Sequence, residues 1–407
     1  MTQHFKTLAA SAALAALLAT GSYLPVNAAT PTTTNATDTK STLAQPTPAD
    51  LAAQAEIVAQ QKTTANAPLH IGKSYRDVPI ATVKDDNGKD RVLRLNVFMP
   101  ANTKGPVPAL LFVHGGGWVV GSYEGDEIPT TTNVKTAAGK ESADKLIQTM
   151  NQDYRATYHV FKGVVNHGIA FVSVDYRLNY ETTMPNQLYD VKAAVRFIRA
   201  HAKEYGIDPN RIAIAGSSAG AHLAALVATT NNDPKAEGTI GGNLDQSSAV
   251  MACVDYYGPT DLLTMAPEMS PSLQTPADAA KTHDAPSAEE SILVGFDKPG
   301  QGVGVLRALK AKHDTTSPDW KYVEIADFGS PINHVTPQTP PFFIAHGGHD
   351  RLVPIEQSIR LRDKLIANDV PNVFISNSEA PHGFQGDTTN VAMMDWLVRI
   401  LKAEPTK

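Results

Sequence analysis

Ser218 stands in Gly216-Ser217-Ser218-Ala219-Gly220, directly after the apolar run Arg211–Ala215. A serine hydroxyl is a weak nucleophile, so chemistry at it needs a backbone that lifts the oxygen clear of the chain and a base within reach. A strand running into a sharp turn ahead of a helix does the lifting, and glycine at 216 and 220 leaves room for that turn. The Ala/Leu/Val run Ala221–Thr229 supplies the helix. Thirteen histidines are available as a base, and placement selects His382, in the loop Ser378–Phe384 between a predicted strand Val373–Ser376 and a predicted helix around Val391–Leu401. Asp350 follows the predicted strand Phe342–Ala345 through His346-Gly347-Gly348-His349 and is the candidate acid. Ser218, Asp350 and His382 then occur in the chain order that a nucleophile–acid–base set on a strand–helix scaffold requires. Upstream, Leu110–Val113 ends in His114-Gly115-Gly116-Gly117-Trp118. A strand ending in three glycines exposes backbone N–H groups, so Gly115 and Gly116, with Ala219, are the candidate oxyanion donors, worth roughly 3–4 kcal/mol each.

Other residues have plainer readings. His114 fixes its loop, and His222, one turn past Ser218, packs or caps. His346, His349 and Asp350 could be a metal-ligand cluster, but a turn after an apolar strand accounts for them and no further ligands stand out, so no metal and no cofactor is expected. Asp261 is the runner-up acid, with capping or turn formation as its main reading. Trp118, Tyr123, Tyr256 and Tyr257 could line an aromatic-friendly pocket, Trp118 and Tyr256 being the substrate-binding candidates, although core packing accounts for the tyrosine pair equally well.

The elements that must hold these residues alternate. Ala109–Val113, Ile169–Val174, Arg211–Ala215, Val250–Val254 and Phe342–Ala345 are short apolar runs suited to strands buried on both faces. Helical stretches, notably Tyr189–Tyr205 and Ile355–Ala367, lie between several of them. This predicts an α/β fold with a mostly parallel central sheet flanked by helices, ligands binding outside the carboxyl ends of the strands. Arg91–Met99 alternates and predicts a half-exposed antiparallel strand. Residues 122–160 and 262–340 exceed what tight connections need; the second is read as a cap over the active edge.

The 407-residue chain has a formal net charge of −6, spread along its length, and 42% hydrophobic residues. A nucleic-acid surface would want a basic stripe, so the expected partner is a small molecule. Residues 1–28 read as a cleaved export signal: His4 and Lys6, then the Ala/Leu run Leu8–Leu18, then Val26-Asn27-Ala28 as a small-residue cleavage site. No cysteine follows that could carry a lipid, so neither a lipid nor a membrane anchor is expected, and the protein is placed outside the cytoplasm, in periplasm or medium. Residues 29–74 are expected to be linker and N-terminal segment, with a short helix over Leu51–Gln61 and the domain running over 75–407. The sole cysteine, Cys253, reads as a buried core thiol.

Together the HGGGW at 114–118, Asp175-Tyr176-Arg177-Leu178, GSSAG at 216–220, Gly-Pro-Thr-Asp-Leu at 258–262, HGGHD at 346–350 and His382-Gly383-Phe384 resemble the α/β-hydrolase superfamily. The likeness is to carboxylesterases with an HGGGW oxyanion motif, near the acetyl/feruloyl esterase and hormone-sensitive-lipase-like branches, and covers roughly residues 75–402. It implies a serine carboxylesterase with Ser218, Asp350 and His382 as triad, acting on short-chain or aromatic esters through an acyl-enzyme. It also implies a structural role for Asp175–Leu178. The insertion at 122–160, with Glu124, Asp126 and Glu127, departs from the pattern and bears on substrate preference. Two other readings stand beside it: a serine peptidase of the same fold, and a non-catalytic binding protein on a hydrolase scaffold. Acyl and alcohol preference, and oligomeric state, are not legible.

Overall fold

The computed structural model describes residues 68–125, 155–383 and 386–403, all within one compact unit spanning Gln54–Lys407. The expected export signal, the helix over Leu51–Gln61, most of the 122–160 insertion and Phe384 lie outside the described residues.

Val107–Val113 (β3) reads Val-Pro-Ala-Leu-Leu-Phe-Val and is buried throughout. Successive side chains of a strand point to opposite faces. Val107, Ala109, Leu111 and Val113 therefore enter one core layer, and Leu110 and Phe112 the other. A strand with no polar face needs helices on both sides. The first layer holds Leu188, Val191 and Val195 of the helix Asn186–Ala200, Leu223 and Leu226 of the helix Ala219–Thr229, and Leu361 and Leu365 of the helix Ile355–Ala367. The second holds Tyr158 and Phe161 of the helix over 155–162, and Met393, Met394 and Leu397 of the helix Asp387–Ile400.

Eight strands among the described residues form one sheet: Ile71–Lys84 (β1), Asp90–Pro100 (β2), β3, Ala170–Val174 (β4), Ile207–Ser217 (β5), Cys253–Tyr256 (β6), Phe342–Gly347 (β7) and Asn372–Asn377 (β8), in the order β1-β2-β4-β3-β5-β6-β7-β8. β1–β2 and β2–β4 pair antiparallel and the rest parallel. This is the α/β-hydrolase architecture. From β3 the chain steps outward to β4 and then returns across β3 to lay down β5. Loops leaving β3 and β5 thus diverge, opening a crevice at their carboxyl ends.

Sequence expectation and structure differ in instructive places. The strand β1 begins at Ile71, inside the stretch read as linker. β2 is half-exposed only near its start: Leu95–Pro100 is buried, because β1 and β4 flank it and Phe98 packs on Phe171. The strand expected over Val250–Val254 begins at Cys253, since the main chain of Val250 is bonded at both its N–H and its carbonyl to the Asn231 side chain. The 262–340 stretch is helical, including Pro276–His283, Val303–Lys312 and Trp320–Phe328. It is no loose excursion: Leu262, Leu293, Phe296, Leu306 and Val323 belong to the core layer that receives Leu111 and Val113 of β3. Among the described residues no helix is long and apolar enough to cross a membrane.

Candidate active site

At the end of β5 the chain turns from strand to helix at one residue. Ser218 adopts φ 53° and ψ −126°, a conformation that costs a side-chain-bearing residue about 1–3 kcal/mol and persists only where its surroundings impose it. Its N–H donates to Tyr256 O at 2.8 Å, and its carbonyl accepts from His222 N–H at 3.0 Å. The flanking glycines are steric necessities. A Cβ at 216 would overlap the main chain of Gly220 and Ala221, and one at 220 would overlap the carbonyls of Val113 and His114.

The result is a half-buried serine among fully buried neighbours. Ser218 Oγ lies 2.9 Å from His382 Nε2, and His382 Nδ1 lies 2.7 Å from Asp350 Oδ2. Asp350 is buried, accepting at Oδ1 from the N–H groups of Leu352 (2.8 Å) and Val353 (2.9 Å). Burial would raise its carboxyl, but the His382 charge and hydrogen bonds from His346 and His382 outweigh it and hold the group well below the usual carboxylate range. Asp350 therefore stays ionised, takes the Nδ1 proton of His382 as its bond, and leaves the Nε2 lone pair facing the serine. The Tyr257 ring stands edge-on to the imidazole with centroids 4.7 Å apart.

The loop after β3 approaches from the other side. Gly116, Gly117 and Trp118 have φ of 116°, 58° and 59°, a tight turn closed by the N–H groups of Val119 and Val120 on Gly116 O, both at 3.0 Å. A Cβ on Gly115 would fall 3.4 Å from Ser218 Cβ, so this backbone passes beside Ser218. Among the described residues the N–H groups of Gly115, Gly116 and Ala219 make no hydrogen bond. Preorganised, unsatisfied donors at this edge can stabilise an oxygen that gains charge when the serine attacks.

The supporting residues take places of their own. His114 stacks on Tyr176 (4.3 Å) with Nδ1 donating to Gly115 O, and burial lowers its pKa to about 4. His222 also stays neutral, lowered by burial to about 4; Nδ1 accepts from Trp118 Nε1 (3.2 Å), and Nε2 donates to Gly329 O (2.6 Å). It ties the glycine turn, the helix after Ser218 and the cap together. Asp175 receives the Arg91 guanidinium at 3.0 Å, and Asp190 receives Arg177 at 2.7 and 2.8 Å, so the Asp175–Leu178 stretch braces the end of β4.

One sequence expectation needs correction, and two readings set second there are not supported. Trp118 and Tyr256, expected to bind substrate, are each only 2% exposed. The first spends its N–H on His222, and the second donates its hydroxyl to Asn390 Oδ1 (3.0 Å), so both are core residues. Asp261, set second as an acid, takes the turn role that was its main reading: it accepts from the N–H of Leu263 and from Arg360 (2.9 Å). His346 and His349 do not share a site: His346 is buried, its Nε2 3.2 Å from Asp350 Oδ2, whereas His349 donates to Ser378 O at the surface. The contacts of Tyr257 with His382 and of His346 with Asp350 were not read from sequence. The HGGHD spacing was the only signal for the latter.

The BD-FAE family model matches residues 146–299 and 314–365, just over half of the chain. Esterase LipC of Mycobacterium tuberculosis is 29% identical over 69% of this chain and 53% of its own length. Esterase LipQ of the same organism is 31% identical over 58% and 46%. The chain thus spans about half the length of these relatives. A solved structure described as a truncated form of carbohydrate esterase from gut microbiota superposes with a TM-score of 0.59 at 25% identity, covering 83% of this chain and 99% of that one. The eight-stranded sheet, the ordered motifs and the family match together make this chain a member of the BD-FAE family, with the α/β-hydrolase fold.

Proposed function

We propose that the protein is an exported serine carboxylesterase that hydrolyses small carboxylic esters through an acyl-enzyme. The observation that carries the reading is the unbroken line from Ser218 Oγ to His382 Nε2 (2.9 Å) and from His382 Nδ1 to Asp350 (2.7 Å), beside unsatisfied N–H groups. Ser218 Oγ attacks the ester carbonyl carbon as its proton passes to His382 Nε2. The carbonyl oxygen becomes an oxyanion held by the N–H groups of Gly115, Gly116 and Ala219. The tetrahedral adduct collapses, the C–O bond to the alcohol breaks, and the imidazolium returns its proton to the departing alkoxide. Water then attacks the acyl-Ser218 carbonyl, giving a proton to His382, and collapse releases the acid and restores the serine. Asp350 keeps its charge throughout and steadies the imidazolium.

The names of the relatives, two esterases and a carbohydrate esterase, support ester rather than amide substrates. The polar start, apolar run and small-residue site within residues 1–28 support export. The test is Ser218→Ala assayed on a short-chain aryl ester, with organophosphate labelling of the wild type. Hydrolysis should vanish, and label should sit on Ser218. A variant running near the wild-type rate, or label elsewhere, sinks the reading.

A further inference from the structure

The first residue after β6 holds a backbone conformation that its own side chain disfavours. Tyr257 has φ 48°, in the left-handed region where a bulky residue is an outlier. Such strain persists only where the surroundings impose it, and it collects at functional sites. Its effect is visible in the packing. Successive side chains of a strand point to opposite faces, yet Tyr256 and Tyr257 both enter the second core layer. The left-handed residue therefore throws the second ring back to the side of the first. Two hydrogen bonds hold it there, in a buried position: the Tyr257 N–H donates to Ala345 O of β7 (2.8 Å), and its hydroxyl shares a bond with Thr157 Oγ1 (3.3 Å) on the helix over 155–162. The ring so placed stands against both histidines that contact Asp350. Its centroid lies 4.7 Å from that of His382 and 6.5 Å from that of His346, the ring planes meeting at 66° and 78°.

In the resting site two hydrogen bonds aim the imidazole, one at Nδ1 to Asp350 and one at Nε2 to Ser218. The second is lost during turnover. Once Ser218 Oγ has given up its proton and bonded to the acyl carbon, the imidazolium keeps only its Nδ1–H bond to Asp350. It must still deliver its Nε2 proton to a different atom, the departing alkoxide oxygen. A ring in contact at 4.7 Å leaves the imidazolium no room to swing toward it. We propose that Tyr257 is a positioning residue for the reaction, its ring confining the His382 imidazolium while the proton passes from Ser218 Oγ to the leaving oxygen. Asp350 sets the tautomer, and Tyr257 limits the swing. The assignment rests on the esterase reading.

The experiment compares kcat/KM on ethyl acetate and on 4-nitrophenyl acetate for wild type, Tyr257→Phe, Tyr257→Leu and Tyr257→Met. 4-Nitrophenolate departs without a proton, whereas ethoxide must take one from the imidazolium, so the ratio of the two esters isolates that transfer. Loss of folded or active enzyme lowers both rates alike and leaves the ratio unmoved, which separates positioning from a purely structural role. In the leucine and methionine variants, which lack the ring, the ratio of ethyl acetate to 4-nitrophenyl acetate should fall about tenfold or more. Phenylalanine keeps the ring and should hold the ratio within about threefold of wild type. Leucine and methionine fill the space differently, so one folded variant of the two suffices. A ratio within about twofold of wild type without the ring, or a fall in the phenylalanine variant as deep as in the others, overturns the assignment while the esterase reading stands. If the wild type hydrolyses neither ester, the esterase reading fails and takes this one with it.

Discussion

Replacing Asp350 by Asn changes one atom and tests the whole arrangement. Asp350 Oδ1 accepts from two main-chain N–H groups, of Leu352 and Val353, in a turn that cannot rearrange. Oδ2 accepts from His382 Nδ1 at 2.7 Å and faces His346 Nε2 at 3.2 Å. An asparagine must put its NH₂ on one side or the other. Facing the turn, it would leave two buried N–H groups unpaired, at about 1–3 kcal/mol each. Facing His382, it asks only that the imidazole move its proton from Nδ1 to Nε2, so the amide settles that way. His382 then presents N–H to Ser218 Oγ and has no lone pair to take the serine proton. The expected outcome is a fall in kcat of about 10⁴-fold with the fold intact, the size that a wrong tautomer produces in other serine–histidine–aspartate sites. Stopped-flow hydrolysis of 4-nitrophenyl acetate measures the rate, and ¹⁵N NMR of the imidazole reads the tautomer. Stability supplies a second check. With its folded pKa held below the unfolded value, Asp350 contributes stability above pH about 3.9 that is lost as pH falls through the folded value. Wild type should therefore exceed the variant at neutral pH, the gap closing in strong acid. A variant retaining kcat within about tenfold of wild type would refute the role given to Asp350.

Two further outcomes follow from packing and burial. Gly220→Ala drives a methyl group into the main-chain carbonyls of Val113 and His114, which cannot swing aside, and should cost about 3 kcal/mol in urea unfolding together with most of the activity; an unchanged midpoint would contradict the steric reading. Asp255 is buried beside Gly258, its Oδ2 without a partner among the described residues, and burial pushes its carboxyl up to about 6 against the weaker opposing effects of the Gly258 N–H and His346. A folded pKa above the unfolded one means that the charge destabilises the fold increasingly as pH rises from about 3.9 through 6. Asp255→Asn should thus stabilise the protein at pH 8 by up to about 3 kcal/mol and change little near pH 4, and an equal effect at both pH values would exclude this origin.

Much of the scaffold is written in local pattern. The buried runs of β3 and β5, the helix after Ser218 and the helix Ile355–Ala367 were all legible, because a strand covered on both faces and an amphipathic helix each impose a period on their own residues. β1 escaped notice. Its exposed and buried positions are interrupted by bulges against β2, and without a steady alternation there is no signal to read. Trp118 and Tyr256 were misread for a related reason: residue type says that an aromatic ring wants an apolar surface, not whether that surface belongs to the core or to a pocket.

By itself the sequence determined which groups are capable of chemistry and the strand ends that bear them. Gly216 and Gly220 are tied to Ser218 by covalent distance, and the glycines after His114 by the need for bare backbone. Only the tertiary structure decided what those groups meet. Asp350 rather than Asp261 reaches His382, His346 backs Asp350, Tyr257 walls the imidazole, and Glu289 of the cap lies on Gly117. Each of these contacts joins residues carried by different elements. Such meetings depend on the crossover that sets β5 beside β3 and on how the cap docks, and neither leaves a mark in the spacing of neighbouring residues.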